Sequence, residues 1–258
     1  GCEAKNDIFF CKRVKVDSIV APMVETEYAL RKFIDSANEP KSSLLFFNIE
    51  TISTVKNLSK ILKSKSFKFL DGVVLGRSDL AGSLNKSKQH VNSKEIFKIV
   101  ESSFKLIKKK KKKLIVKMGG SITPKSEKFI RSLYKKKLLD FIETRNIEIK
   151  LSKKNVINLK KIIPVAFEFE MEWLRIRMKN IKNIDRYLYN DYKKRLLEIN
   201  KRIIWLKIMN YLTAVVPVRK NSQRVKNKNF KNFNNKNLLI HKIEKLKKIK
   251  LFDQIIVN

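Results

Sequence analysis

The chain of 258 residues carries 60 Lys+Arg against 24 Asp+Glu, a formal charge of +36, and 43% of it is hydrophobic. That apolar content is too high for a disordered tail, and six Gly with five Pro exclude collagen-like and linker-dominated chains. Two Cys and two His exclude a disulfide scaffold and a Cys/His zinc site built by this chain alone, and neither His90 nor His241 stands in a nucleophile context.

Short apolar runs alternate with helical patterns along the first part. Ser18–Met23 reads as a buried strand, Glu25–Ala37 as a helix with Ala29, Phe33 and Ala37 on one face, and Leu44–Ile49 as the next strand. Thr51–Leu62 follows as a helix with Val55, Leu58, Ile61 and Leu62 inward, and Gly72–Gly76 as a third strand. Glu95–Lys108 is a helix with the stripe Ile96, Ile99, Val100, Phe104 and Ile107. The densest basic run, Lys108–Lys113, reads as a solvated loop ahead of the strand Leu114–Met118. Thr123 as N-cap and Pro124 in the first turn open another helix. Phe141–Arg145, with Ile147 after it, is a fifth strand candidate.

Strand–helix alternation predicts an α/β fold with a parallel sheet. No Gly-rich dinucleotide fingerprint follows a strand, which favours a (β/α) barrel over a Rossmann sheet. A full barrel needs roughly 250 residues, and only about five units fit before residue 150, so the barrel is partial or the sheet open.

From Ala166 to Arg202 the pattern is helical. Phe167, Met171, Leu174, Met178 and Ile181 form one narrow apolar seam, and Leu188, Tyr192, Leu196, Ile199 and Ile203 a second. Such seams suit the chain's own core and a second subunit equally, and a homo-oligomer is the expectation. Beyond them come a strand at Leu212–Pro217, a basic Asn-rich loop at Arg219–Lys236, a helix at Leu238–Lys248 and a last strand at Gln254–Val257. The chain has no initiator Met and stops at the edge of a β-α-β unit, so both ends read as cut.

The first residues are polar, with no signal-peptide pattern. The longest apolar stretch, Ile203–Val218, contains Lys207 and Asn210 and is shorter than the ~20 residues a membrane span needs. A cytoplasmic location without membrane contact is expected. The charge suits nucleic acid or an acidic membrane surface. The lysines, however, run along the whole chain with many Asn and Ile, whose codons are A/T-rich, and base composition is the favoured source. No aromatic stacking pattern interleaves with the basic run, so no specific nucleic acid is expected.

Glu50 ends the strand Leu44–Ile49, and Asp79 lies just past the strand Gly72–Gly76. In a parallel β/α sheet both fall at the carboxyl edge, where active sites form. Two converging carboxylates completed by water and substrate oxygens suit Mg²⁺ or Mn²⁺. Ser78 and nearby backbone N–H groups suit a substrate carboxylate. The competing reading makes Glu50 and Asp79 ordinary helix-start acids, favoured by the helix dipole.

Three segments carry a family resemblance. They are Val20–Thr26 (VAPMVET), Asn48–Thr51 (NIET) and Leu70–Leu80 (LDGVVLGRSDL). Together they resemble the HpcH/HpaI aldolase and citrate lyase β-subunit family, over roughly residues 1–200. The resemblance implies a TIM barrel that makes or cleaves carbon–carbon bonds beside a pyruvate-like unit, with a 2-oxo acid or acyl-CoA-like substrate. It implies that Glu50 and Asp79 hold the metal, that Gly76, Arg77 and Ser78 bind the substrate carboxylate, and that the metal stabilises an enolate. Arg77 stands where many relatives have Pro. The family's general-base His and catalytic Arg come from strands that would precede Gly1, so the catalytic residues stay unassigned.

A second resemblance begins near Met209. Ala214–Asn229 (AVVPVRKNSQRVKNKN) and Leu251–Val257 (LFDQIIV) resemble the opening of an acylneuraminate cytidylyltransferase. That implies the first β-α-β unit of a Rossmann-like nucleotidyltransferase that uses CTP to activate sialic-acid-like sugars. Arg219, Ser222, Arg224, Lys228 and Asn229 would then cradle the nucleotide. Lys220 and Asn221 replace the usual loop glycines. The expected organisation is a partial barrel over 1–150, a helical extension over 151–208 and a cytidylyltransferase-like part over 209–258, in the manner of two neighbouring genes merged. Three functions follow: a metal-dependent carbon–carbon lyase, a CMP-sugar synthetase, and a basic nucleic-acid-binding protein.

Overall fold

The computed structural model describes residues 4–38, 43–209, 213–216, 232–233, 236–237, 239–241, 243–244 and 254–257. The chain divides into two compact units, residues 1–180 and 181–258.

The first unit opens with α1 (Ala4–Arg13), followed by β1 (Ser18–Ala21), α2 (Glu27–Ala37), β2 (Leu44–Ile49) and α3 (Ile52–Lys63). Then come β3 (Gly72–Gly76), α4 (Arg77–Ser83), α5 (Lys94–Lys110), β4 (Ile115–Gly119) and α6 (Glu127–Lys135). The unit closes with β5 (Phe141–Glu143), β6 (Glu148–Lys150), α7 (Lys153–Ile157) and α8 (Leu159–Ile181). The six strands form one curled sheet in the order β1-β2-β3-β4-β5-β6. The first five are parallel, and β6 returns antiparallel to β5. A strictly sequential parallel order has no reversal point, as a doubly wound sheet would. It is the order of a barrel wall, and the unit is a half-barrel of α/β type.

Side chains cap the helices, at Thr123 as the sequence predicts and at further positions it did not single out. Thr26, Thr51, Ser93 and Ser152 accept from the N–H three residues on, at 3.1–3.2 Å. Thr123 and Ser126 make a reciprocal capping box ahead of α6. The core is the sheet with its helix faces. Leu45, Phe46, Phe47 and Ile49 of β2, and Leu58 and Ile61 of α3, are almost wholly buried, as are Val100, Phe104 and Ile107 of α5.

Four readings need correction. α5 continues through Lys110, and two lysines of the basic run are tied down rather than solvated. Lys108 donates to Leu114 O at 2.9 Å and Asp140 Oδ2 at 2.7 Å, and Lys111 donates to Leu70 O at 2.7 Å. Long lysine stems lie along apolar surface and deliver the ammonium to carbonyls at the end of the sheet. The fifth strand is a hairpin, because Thr144 accepts from Ile147 N–H at 3.2 Å and turns the chain. The long helix starts at Leu159, not Ala166, and carries Pro164 inside its first turns. The inward positions Ala29, Val55 and Ile99 are only half-buried, whereas Leu30, Thr54 and Ser103 are buried.

The second unit contains α9 (Arg186–Met209), β7 (Thr213–Val216), β8 (Asn232–Phe233), β9 (Lys236–Asn237) and β10 (Gln254–Val257). β7 and β10 pair in parallel, as the strands of a β-α-β unit do. β8 and β9 form a short antiparallel pair inside the stretch read as loop. Among the described residues no helix is long and apolar enough to cross a membrane.

Candidate active site

The three motif segments meet at the carboxyl edge of the half-barrel. Register places Ile49 beside Leu75 and pairs Gly76 with Gly119. One residue further, Glu50 follows β2 at the level of Gly76. A Cβ built on Gly76 would lie 3.4 Å from Glu50 Cβ, 3.7 Å from Glu50 Oε2 and 3.7 Å from Asp79 Oδ2. Both carboxylates therefore reach the same point, kept open by the missing side chain of Gly76. Glu50 is buried and Asp79, in the first turn of α4, is exposed.

Local structure holds Glu50 in place. Its Oε1 accepts from Met23 N–H at 2.7 Å and its Oε2 from Asn48 Nδ2 at 3.1 Å. Met23 reaches it by adopting a left-handed backbone, φ 54°, at the end of β1. Such a conformation is uncommon for a residue with a side chain and concentrates where function requires it. Thr51 donates to Glu25, Thr54 to Val24 O at 3.2 Å, and Asn57 to Glu25 O at 2.9 Å. The start of α3 is tied in turn to the end of α4 by Ile52 N–H donating to Ser83 Oγ at 3.0 Å.

The residues after Gly76 behave differently from one another. Ser78 Oγ lies 3.0 Å from Ser121 Oγ. Arg77 is fully buried and points into the loop after β4. Its Nε donates to Gly119 O at 3.2 Å. Its Nη2 donates to Gly120 O at 2.9 Å and Ser126 Oγ at 3.3 Å, and its Nη1 to Asn92 Oδ1 at 2.8 Å and Val91 O at 3.4 Å. The guanidinium also stacks on Phe129, 5.0 Å from the ring centre. Burial pushes Arg77 down to about 9, so it stays cationic at neutral pH. With every face engaged by protein, its side chain is a brace between two rim loops. Gly120 makes that brace possible. It sits at φ +80°, and a Cβ there would lie 2.4 Å from Ser78 N and 2.6 Å from Arg77 N.

The rim contains one acid that motif reading missed. Glu143, at the end of β5, leans over Gly119: a Cβ built on Gly119 would lie 3.0 Å from its Oε1. The signal was present in the sequence, since Ile142-Glu143-Thr144 repeats Ile49-Glu50-Thr51 after a second strand. Burial pushes the Glu143 carboxyl up, Lys117 opposes this, and Glu148 adds to it. Lys117, buried on β4, pairs with Glu148 and lies 4.2 Å from the Phe46 ring centre. No ion pair engages Glu50, Asp79 or Glu143 among the described residues. His90 is exposed in a short turn, its Nδ1 3.1 Å from Ser87 Oγ. The predicted nucleotide-loop residues Arg219, Ser222, Arg224, Lys228 and Asn229 lie outside the described residues.

Two family models match the chain: HpcH/HpaI aldolase/citrate lyase over residues 3–120 and cytidylyltransferase over residues 213–258. No curated protein matches it in sequence. Among solved structures it is similar to citrate synthase SbnG, with 15% identity over 50% of this chain and 56% of that one, TM-score 0.38. It is similar to RipC from Yersinia pestis, with 13% identity over 51% and 59%, TM-score 0.40. A citrate lyase from Burkholderia xenovorans LB400 shares 9% identity over 78% and 70%, TM-score 0.44. The chain thus spans less than two thirds of the length of the first two. By these matches, one chain joins an HpcH/HpaI aldolase/citrate lyase-like segment to a cytidylyltransferase-like segment.

Proposed function

We propose that the half-barrel is the catalytic part of a metal-dependent carbon–carbon lyase acting on a 2-oxo acid or a related acyl-CoA-like substrate. The observation that supports it is the meeting of Glu50 and Asp79 over Gly76, within the segment that matches the lyase family. The donor set fits a hard divalent cation, Mg²⁺ or Mn²⁺, because it consists of carboxylate oxygens. Among the described residues no group of three or more His, Cys, Asp or Glu is arranged for a metal. Glu50 and Asp79 would therefore hold the ion with water and substrate oxygens completing its shell. A bound divalent ion supplies Lewis-acid polarisation of the substrate ketone.

The chain's own residues do the rest. Glu50 is oriented by Met23 N–H and Asn48, so its carboxylate is fixed before substrate arrives. The backbone N–H groups around Gly76–Ser78 bind the substrate carboxylate, and the Arg77 brace holds that turn against the β4 loop. The test is cleavage of a pyruvate aldol with Mg²⁺ or Mn²⁺ present. Glu50→Gln and Asp79→Asn should each lower kcat/KM by about 10³-fold. Wild-type rates in either variant would overturn the reading.

A second reading rests on the cytidylyltransferase match and on the parallel pairing of β7 with β10. It makes residues 209–258 a CTP-binding element of a CMP-sugar synthetase. CTP binding that disappears in Arg219→Ala and Arg224→Ala supports it, and binding unchanged by both contradicts it.

A further inference from the structure

The rim of the half-barrel carries a third acid, Glu143, whose place the lyase reading leaves unexplained. Along the carboxyl edge one row of residues crosses the sheet from strand to strand: Glu50, Gly76, Gly119, Glu143 and Glu148. Gly76 pairs with Gly119 and Glu143 with Glu148. The two glycines form a floor without side chains. Glu50 and Asp79 reach the point above Gly76, while Glu143 covers the point above Gly119. Neighbouring strands lie about 5 Å apart, so the two points are separated by on the order of one strand spacing. That separation suits one small substrate between them. Glu143 is half-buried and keeps no cation of its own. The charged groups that act on it are Lys117 of β4 and Glu148 of β6, which pair with each other. Across the floor stand Glu50 and Asp79. Burial strengthens the Glu143 carboxyl's hold on a proton relative to an ordinary glutamate, Lys117 opposes this and Glu148 adds to it, as suits a group that both takes and returns a proton.

We propose that Glu143 is the proton-transfer residue of this site, moving one proton between the hydroxyl and the C3 carbon of a pyruvate aldol. This rests on the lyase reading above. In the cleavage direction the Glu143 carboxylate takes the proton from the C4 hydroxyl. The O–H electron pair becomes the new carbonyl bond, and the C3–C4 pair moves to form the C2–C3 double bond of the enolate. The aldehyde leaves. The protonated Glu143 then gives the same proton to C3, and the enolate becomes pyruvate. No proton, oxidant or co-reactant is consumed. Gly119 is the positioning element, since a Cβ there would press on the Glu143 side chain, 3.0 Å from Oε1 and 3.1 Å from Cγ.

Two measurements test the proposal. The first needs no substrate: carbon-13 NMR titration of glutamate carboxyls, with Glu143→Gln identifying the resonance. Glu143 is expected to titrate above the ordinary glutamate range, and titration within or below that range overturns the proposal. The second follows exchange of pyruvate C3 protons for deuterium in D₂O with Mg²⁺. Wild-type protein should exchange, Glu143→Gln should lose about 10²–10⁴-fold, and Glu143→Asp should recover part of the rate. Exchange by Glu143→Gln at the wild-type rate overturns the proposal and leaves the lyase reading standing. Absence of exchange in the wild type, with folded protein, removes both.

Discussion

At the amino edge of the half-barrel, Asp71 accepts from Leu45 N–H at 2.9 Å. Asp140 accepts from Val116 N–H at 2.8 Å and pairs with Lys108 at 2.7 Å. Each acid stitches the start of a neighbouring strand, and a lysine closes the gap. At the carboxyl edge the acids are arranged the other way. Glu50 and Glu143 stand over glycines, Asp79 opens to solvent, and no lysine or arginine pairs with any of them among the described residues. In a chain of +36 charge, an acid kept from cations needs local structure to hold it there. That structure is visible in the left-handed Met23 and Ser121, the glycines of the floor, and the Arg77 brace. The two edges separate acids that serve the fold from acids left available for chemistry.

Disturbing each edge sharpens the contrast. The largest effect is expected at the brace. Arg77→Met leaves Gly119 O, Gly120 O, Val91 O, Asn92 and Ser126 without their donor. It should cost about 3–5 kcal/mol in urea unfolding and disorder the carboxyl rim. A variant of unchanged stability would show that the rim does not depend on the brace. At the amino edge, Asp140→Asn weakens a partly exposed charge contact and should cost about 1 kcal/mol, with rim chemistry intact. A loss of activity larger than the loss of stability would break the division between the edges. The smallest effect concerns pH. The Glu143 carboxyl is raised in the folded chain, so its contribution is fully present below the unfolded value and is lost as pH rises through the folded one. Glu143→Gln should remove that decline, and the variant should gain stability on the wild type as pH rises. Parallel stability–pH curves for the two proteins would contradict the assignment.

Much of this was legible in the residues. β2 and β3 begin and end where their apolar runs do, and Glu50 and Asp79 could be placed on the rim because each follows a strand directly. Thr123 announced its helix by capping chemistry. What was hidden depended on distance through space. Nothing local tells that Lys108 and Lys111 fold back onto carbonyls, because a lysine run has the same composition in water or against a sheet end. The bracing role of the Arg77 side chain was hidden too, because it reaches acceptors 14 to 49 residues away in sequence. Glu143 escaped because its strand is short and its significance comes from Gly119 on the strand beside it. The hairpin after β5 was masked by the β-prone residues on either side of it, with Thr144 and Asn146 to mark the turn.

The central claim is that Glu50 and Asp79 form one assembled site, and thermal unfolding with Mn²⁺ and oxalate, an analogue of the pyruvate enolate, tests it most directly. The account predicts a cooperative transition that rises by on the order of 5 °C with both ligands at saturating concentration, and that Glu50→Gln and Asp79→Asn abolish the rise. The same rise in those variants, or none in the wild-type chain, would contradict it.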